Sequence, residues 1–168
     1  LKCKMSHLNN HDIDRIAKRI FKKEHQYNFS QGVMNDELVF ADNDFNIPMI
    51  SLQRFPYPEY HTSDDNLDII LDSSLNETYC KLLELVEMIE ANYIPKKIKK
   101  GPIYLSKHKL YIEAEKKQDY WRNWKIINLL GTGKSILEIA EEMKLDFWKT
   151  HNIIDKFRQA GVIKAIYN

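Results

Sequence analysis

The sequence predicts an α/β chain built of two modules, and three observations carry that prediction. The first half reads as helix, then strands, then helix, an order that suits part of an α/β sandwich better than a bundle. Charge is split: residues 1–95 carry nine basic and sixteen acidic side chains, whereas residues 96–168 carry sixteen basic and eight acidic. Between the halves, Pro95-Lys96-Lys97-Ile98-Lys99-Lys100-Gly101-Pro102 sets two prolines around four mutually repelling lysines, which disfavours compact structure. The predicted division is therefore a first module over 1–94, a linker over 95–115 and a second module over 116–168.

In the first module, Ile13, Ile16, Ala17, Ile20 and Phe21 recur at helical spacing with charges between them, predicting an amphipathic helix over 12–24. Leu38–Ala41 and Pro48–Leu52 are short apolar runs bounded by turn formers and read as strands. A second long helix carries Leu75, Tyr79, Leu82, Leu83, Val86 and Ile89 on one face. Two strands and two helices are too little to close a sandwich. The first residue, Leu1, is not Met, so the chain is expected to be the C-terminal piece of something longer.

Composition narrows the classes. Twenty-five Lys plus Arg against 24 Asp plus Glu, with 43% apolar and 11% aromatic residues, is the profile of a folded chain and excludes wholesale disorder. No run approaches the roughly 18 uninterrupted apolar residues that a membrane span needs, and no signal peptide is visible, so the expected location is cytoplasmic. Cys3 and Cys80 have neither zinc-knuckle nor redox spacing and read as ordinary thiols.

The segment most able to carry chemistry is Arg54-Phe55-Pro56-Tyr57-Pro58-Glu59-Tyr60-His61-Thr62-Ser63-Asp64-Asp65-Asn66. Prolines stiffen the approach to a histidine, and hydroxyls and carboxylates follow it, as a metal-bound imidazole oriented by a carboxylate requires. The same residues also suit an Asx and Ser/Thr turn that caps a helix beginning near Leu67, with His61 at the surface. A serine nucleophile is disfavoured, because no third group that would orient His61 as a base for Ser63 is identifiable. His7 and His11, four apart, flank Asn9-Asn10 and favour a turn over a metal pair, and His25, His108 and His151 read as solvated side chains.

The stretch Tyr60-His61-Thr62-Ser63-Asp64-Asp65-Asn66 resembles the C-terminal zinc-ligand motif of the co-catalytic zinc aminopeptidases. Upstream, Gly32-Val33-Met34-Asn35-Asp36-Glu37-Leu38-Val39-Phe40 and Asn46-Ile47-Pro48 resemble that family's Ser-Asp-His loop, the aromatic after it and its Gly-Ile-Pro turn. Asn35, Glu37 and Asn46 stand where serine, histidine and glycine are usual, so the likeness is to a divergent branch: bacterial aminopeptidase-like proteins encoded among polysaccharide-biosynthesis genes. The resemblance implies that His61 ligates zinc, that Asp65 acts as a nearby carboxylate, that Tyr60 and Thr62 shape the pocket wall, and that Asp36 and Glu37 lie near the site. Arg54 either orients a substrate carboxylate or pairs with Asp64 on the surface. The family's other ligands and its general base lie upstream of the segment seen here. The implied enzyme is a two-zinc hydrolase of peptide or amide bonds whose metals polarise a carbonyl and activate water, completed by the missing N-terminal part. One imidazole cannot retain zinc alone, so this chain by itself is expected to be inactive.

In the second module, residues 119–130 read as a helix, and Gly131-Thr132-Gly133-Lys134-Ser135 invites comparison with a phosphate loop. That loop needs a further glycine where Asn128 stands and follows a strand rather than a helix. A helix stop at Gly131 and Gly133, with Ser135 and Glu138 forming the capping box of the next helix, fits better. Ile136, Leu137, Ile139, Ala140 and Met143 then supply a buried stripe, Lys144-Leu145-Asp146 turns the chain, and Phe147, Ile153, Ile154 and Phe157 mark a third helix. Gly161 ends it, and Val162–Tyr167 reads as a strand. This pattern resembles a winged helix-turn-helix, with Trp121, Trp124 and Trp148 expected to pack its core or dock on the first module. Lys149, Asn152 and Lys156 are its candidate DNA contacts, and protein contact through the basic surface is the competing use.

Overall fold

The computed structural model describes residues 1–110 and 117–167. The chain is mixed α/β and forms two compact units, Leu1–Ile89 and Glu90–Asn168. Among the described residues no helix is long and apolar enough to cross a membrane.

The first unit is organised around a strand absent from the sequence prediction. β1 (Lys2–Lys4) is the middle of a three-stranded sheet, parallel to β2 (Gln26–Tyr27) and antiparallel to β3 (Ser51–Gln53), with Cys3 opposite both Gln26 and Leu52. Cys3, Lys4, Met5 and Ser6 are all buried, as suits a central strand covered on both faces. Burial, and then the neighbouring Asp14 charge, push the Cys3 thiol up to about 12, which keeps it protonated and inert.

α1 (Asp12–Ile20) packs Ile16 and Ala17 inward and begins as physical chemistry dictates. Asp14, fully buried, accepts hydrogen bonds from the N–H of His11 at 3.2 Å and from the N–H and hydroxyl of Ser6 at 2.7 and 2.6 Å. One carboxylate thus satisfies the helix start and ties it to the end of β1. The helix stops at Ile20, short of the predicted residue 24, because Phe21 turns extended and is buried.

The strand predicted over Leu38–Ala41 is instead the short helix α2 (Glu37–Ala41). A four-residue apolar run has no period that separates strand from helix, and tertiary contact decided the matter. Glu37 is drawn inward by Lys4, which leaves Leu38, Val39 and Phe40 exposed. The second predicted strand is displaced to Ser51–Gln53. Only a 3₁₀ turn forms at Leu67–Ile69, and α3 (Asp72–Ala91) starts beyond it. The apolar face predicted for α3 is present but not covered: Leu75, Tyr79, Leu82, Leu83, Val86 and Ile89 are all exposed, while Leu85 and Met88 are its buried residues.

The second unit opens with β4 (Ile94–Lys97) and closes with β5 (Ile163–Ile166), paired antiparallel with Pro95 opposite Ala165. Pro95, Lys96 and Lys97, predicted as linker, therefore lie in a strand. Proline is tolerated there because β4 pairs on one edge only. The rest of the predicted linker holds a 3₁₀ turn at Leu105–His108, and its residues 111–116 lie outside the described residues.

Between the strands run α4 (Lys117–Leu129), α5 (Ile136–Glu142) and α6 (Phe147–Gln159). Gly131 and Gly133, at φ of 82° and 89°, turn the chain between α4 and α5 through the left-handed region that only glycine enters freely. The start of α5 has no orphan donors among its first three: Ile136 N–H reaches Tyr93 O at 3.0 Å, Leu137 N–H reaches Asn92 Oδ1 at 2.9 Å, and Glu138 N–H reaches Ser135 Oγ at 3.3 Å. Glu138 returns the bond to Ser135 N–H at 2.8 Å, completing the predicted capping box. Ile126, Leu130, Ile136, Leu137, Ile139, Phe147, Ile154 and Ile163 fill the core. Met143 and Ile153 are only partly covered, and none of Trp121, Trp124 and Trp148 is buried, so aliphatic and phenylalanine side chains rather than indoles make this core.

Substituting Glu37→Gln leaves the buried Lys4 ammonium uncompensated and is expected to cost about 3–5 kcal/mol of stability at neutral pH. Burial pushes the Glu37 carboxyl up, but the bond from Lys4 and N–H groups of Glu37 and Asn35 outweigh it, holding the group below the usual carboxylate range. Its contribution is therefore complete above the unfolded-state value of about 4.3 and lost as pH falls through the lower folded value. Denaturant unfolding of the two proteins from neutral to acid pH should show the gap closing as acid is added.

Candidate functional site

The segment singled out for chemistry is a succession of turns hung from the sheet. Tyr27 of β2 donates its hydroxyl to Phe55 O at 3.0 Å, and the Phe55–Pro56 peptide is cis. Thr62 then closes a turn on Glu59, bonding Glu59 O through its N–H at 3.0 Å and its hydroxyl at 2.7 Å. The Thr62 hydroxyl accepts in turn from Asp64 N–H at 3.2 Å, and Asn66 Oδ1 accepts from Asp68 N–H at 2.8 Å. These are the Asx and Ser/Thr turns that the composition of the segment favours.

His61 sits at the crest of this run. Its backbone is left-handed, φ 64°, and its ring is exposed and stacks on Tyr60 at 3.9 Å between centroids with 19° between planes. Tyr60 is held edge-on by Phe55 at 5.3 Å and by Tyr57 at 5.5 Å. An aromatic cluster thus fixes the imidazole from one side and leaves its other face to solvent. A non-glycine residue in this region carries on the order of 1–3 kcal/mol of strain.

The structure separates most of the other residues implied by the resemblance. Asp65 accepts from Tyr57 Oη at 2.9 Å rather than orienting His61, and this bond to the carboxylate is what raises the Tyr57 phenol above its ordinary value. Arg54 does not pair with Asp64: its guanidinium bonds Glu77 at 2.5 Å and Ser74 O at 2.8 Å on α3. The Arg54 bond comes first among the influences that lower the Glu77 carboxyl. Thr62 is used up in its turn, and Asp36 is exposed beside α2 with no capping bond.

Glu37 is buried against Lys4, whose ammonium donates to Glu37 Oε1 at 2.5 Å, Val33 O at 2.6 Å and Met34 Sδ at 3.0 Å and lies over the Phe29 ring at 5.7 Å. A carboxylate with both burial and a committed cation is a structural brace for its loop. Sequence reasoning missed Lys4, since a lysine beside Cys3 and Met5 reads as surface; its only signal is a position one residue from two apolar neighbours.

Arg54, Tyr57, Glu59 and Asp65 do share one feature. They line a groove of about 840 Å³ whose other walls include Leu52, Leu67, Ile70, Leu71 and Leu75. His61 is not among its lining residues. Nor do the described residues fit a zinc ion by themselves: no three His, Cys, Asp or Glu side chains converge, whereas a catalytic zinc takes about three protein ligands.

Of the remaining histidines, His108 ends the 3₁₀ turn at Leu105–His108 half-buried rather than in solvent. His7 Nε2 pairs with Asn46 Oδ1 at 2.8 Å, and His11 caps α1. His25 is exposed and bonds Leu1 O at 3.1 Å. His151, expected in solvent, is half-buried among Tyr93, Phe147 and Trp148. On α6, Lys149, Asn152 and Lys156 are exposed at helical spacing on one face. Asp146 caps the helix through Lys149 N–H at 2.9 Å, and Asp155 is turned inward to Arg158 at 2.5 Å and Gln159 at 2.7 Å.

Residues 1–92 match the family model described as a domain of unknown function, DUF4910. No curated protein matches the chain. The fold is similar to the crystal structure of a "putative peptidase" from Clostridium acetobutylicum, with a TM-score of 0.70 and 22% identity, over 98% of this chain and 38% of that one. The chain thus spans well under half the length of that protein.

If the left-handed backbone at His61 is kept for the sake of its imidazole, glycine relieves the strain at the expense of the ring. His61→Gly is expected to leave thermal stability of the 168-residue chain unchanged or raised by about 1 kcal/mol. A calorimetric melting temperature well below that of the parent would show instead that the stack on Tyr60 holds the turn.

Proposed function

The chain belongs to the DUF4910 family, and on that premise we propose that it is the C-terminal part of a peptidase-like hydrolase, acting on a peptide or amide bond. The observation that carries the reading is the Tyr60-His61-Thr62 turn, in which an imidazole is held at a left-handed crest by a cluster of three aromatic rings and offered to solvent. The likeness of fold to the Clostridium peptidase supports it. In this reading His61 contributes one ligand to a zinc site whose other ligands, and whose general base, lie in polypeptide beyond these 168 residues. The groove polar at Arg54 and Asp65 belongs to the same assembled surface. A place in surface-polysaccharide assembly rests on the likeness of the Tyr57–Ser63 string alone.

The partner implied is the larger remainder of the same polypeptide, and α3 is where it packs. Six apolar side chains in a continuous stripe along 15 residues of helix are exposed here, far more than a folded protein leaves to water without a use. The second unit is a winged helix in this reading, supported by its order of strand, three helices and strand. DNA contact through Lys149, Asn152 and Lys156 is a second use; Asp155 is turned inward from that face, while exposed Asp146 stays at its start as the cap on Lys149 N–H.

Two measurements test the assignment. In the complete polypeptide His61→Ala should lower zinc content and hydrolytic activity together, and an unchanged metal stoichiometry by atomic absorption would refute the ligand role. Leu82→Asp should leave unfolding of the 168-residue chain nearly unchanged but destabilise the complete polypeptide by several kcal/mol, as a buried unpaired carboxylate does. Equal effects in both would place the α3 stripe in solvent.

A further inference from the structure

We propose that the C-terminal unit carries a pocket for a small phosphate-bearing ligand with a flat apolar body, of the size and chemistry of a mononucleotide. The pocket lies away from the residues considered above, between the segment that follows β4 and the turn from α6 into β5 at Gly161 and Val162. Its volume of about 300 Å³ is at the lower end of the range of small-molecule sites, roughly 300–1,000 Å³.

Charge decides the sign of the ligand. Lys99, Lys100, Lys107 and His108 line this one concavity, and no described carboxylate lines it with them. Among the described residues the three ammonium groups have no ion-pair partner that would neutralise them at the pocket. Like charges gathered around a low-dielectric wall raise the local potential and concentrate anions. Phosphate, with several acceptor oxygens, can answer three ammonium groups at once.

The apolar wall decides the rest of the ligand. Tyr104 is 66% exposed and Ile98 53% exposed, and both face the pocket that the lysines rim. Inorganic phosphate alone would leave that wall wet. A purely apolar ligand would desolvate the lysines without pairing them. A ligand with an aromatic plane to lie on Tyr104 and a phosphate for the lysines satisfies both, and base stacking on an aromatic side chain is worth about 1–3 kcal/mol. The concavity has room for one such unit, and this favours a mononucleotide over a polynucleotide tracking an open groove.

The test is isothermal titration calorimetry of the full 168-residue chain at low salt with four probes: ADP, adenosine, inorganic phosphate and a duplex DNA oligonucleotide. ADP should bind saturably and at least about tenfold more tightly than phosphate or adenosine, and should weaken as salt rises. Lys100→Ala with Lys107→Ala should weaken ADP by about tenfold or more, and Tyr104→Ala should weaken ADP while leaving phosphate unchanged. These positions are exposed, and circular dichroism checks that each variant folds; Lys99→Glu is the alternative should the double variant not fold. The proposal is overturned by no saturable heat with millimolar ADP, by phosphate binding as tightly as ADP, by duplex DNA binding more tightly than ADP, or by lysine variants that bind ADP like the parent.

Discussion

The ion pair between Lys4 and Glu37 is the constraint on which the rest of the first unit depends. Both side chains are at most 2% exposed, and two buried charges are tolerable only when each is fully answered. Lys4 has three acceptors, drawn from Val33, Met34 and Glu37, all within one loop. The pair thereby fixes residues 33–37 against the central strand, starts α2 where the sequence predicts a strand, and turns the apolar residues of that helix outward. The loop that resembles an active-site loop is thus held by its acidic residue rather than offering it to a substrate.

Just beyond β1, buried Asp14 is answered in turn by the N–H and hydroxyl of Ser6. A strand of three residues would be a weak organiser by its hydrogen bonds alone. Its buried side chains, and the carboxylates of α1 and α2 that reach back to it, make it the centre of the unit. The turns from Tyr57 to Asn66 hang from the neighbouring strand through Tyr27, so the exposed imidazole of His61 is positioned by sheet, aromatic cluster and local turn together.

The two units differ in how completely they close. In the second, the start of α5 is satisfied by backbone and side-chain acceptors from the segment before β4, α6 is capped by Asp146, and apolar residues from all three helices meet inside. In the first, α3 turns only Leu85 and Met88 inward and presents a wide apolar stripe outward.

What the sequence determined by itself is whatever a few adjacent residues can enforce. The capping box at Ser135 and Glu138, the glycine turn at 131–133, the stop at Gly161 and the stripes of α1, α5 and α6 are all local, so their residues announce them. The turn chemistry around Thr62 and Asn66 was legible for the same reason. Tertiary structure alone decided β1 and β4, the helical state of Leu38–Ala41, the partners of Arg54 and Asp65, and which face of α3 is buried. Three of these are settled by a residue far away in the chain: Lys4 for Glu37, Glu77 for Arg54, Ile166 for Ile94. A short apolar run or a lone charge has no periodicity of its own, and its state follows from the surface that folding brings to it.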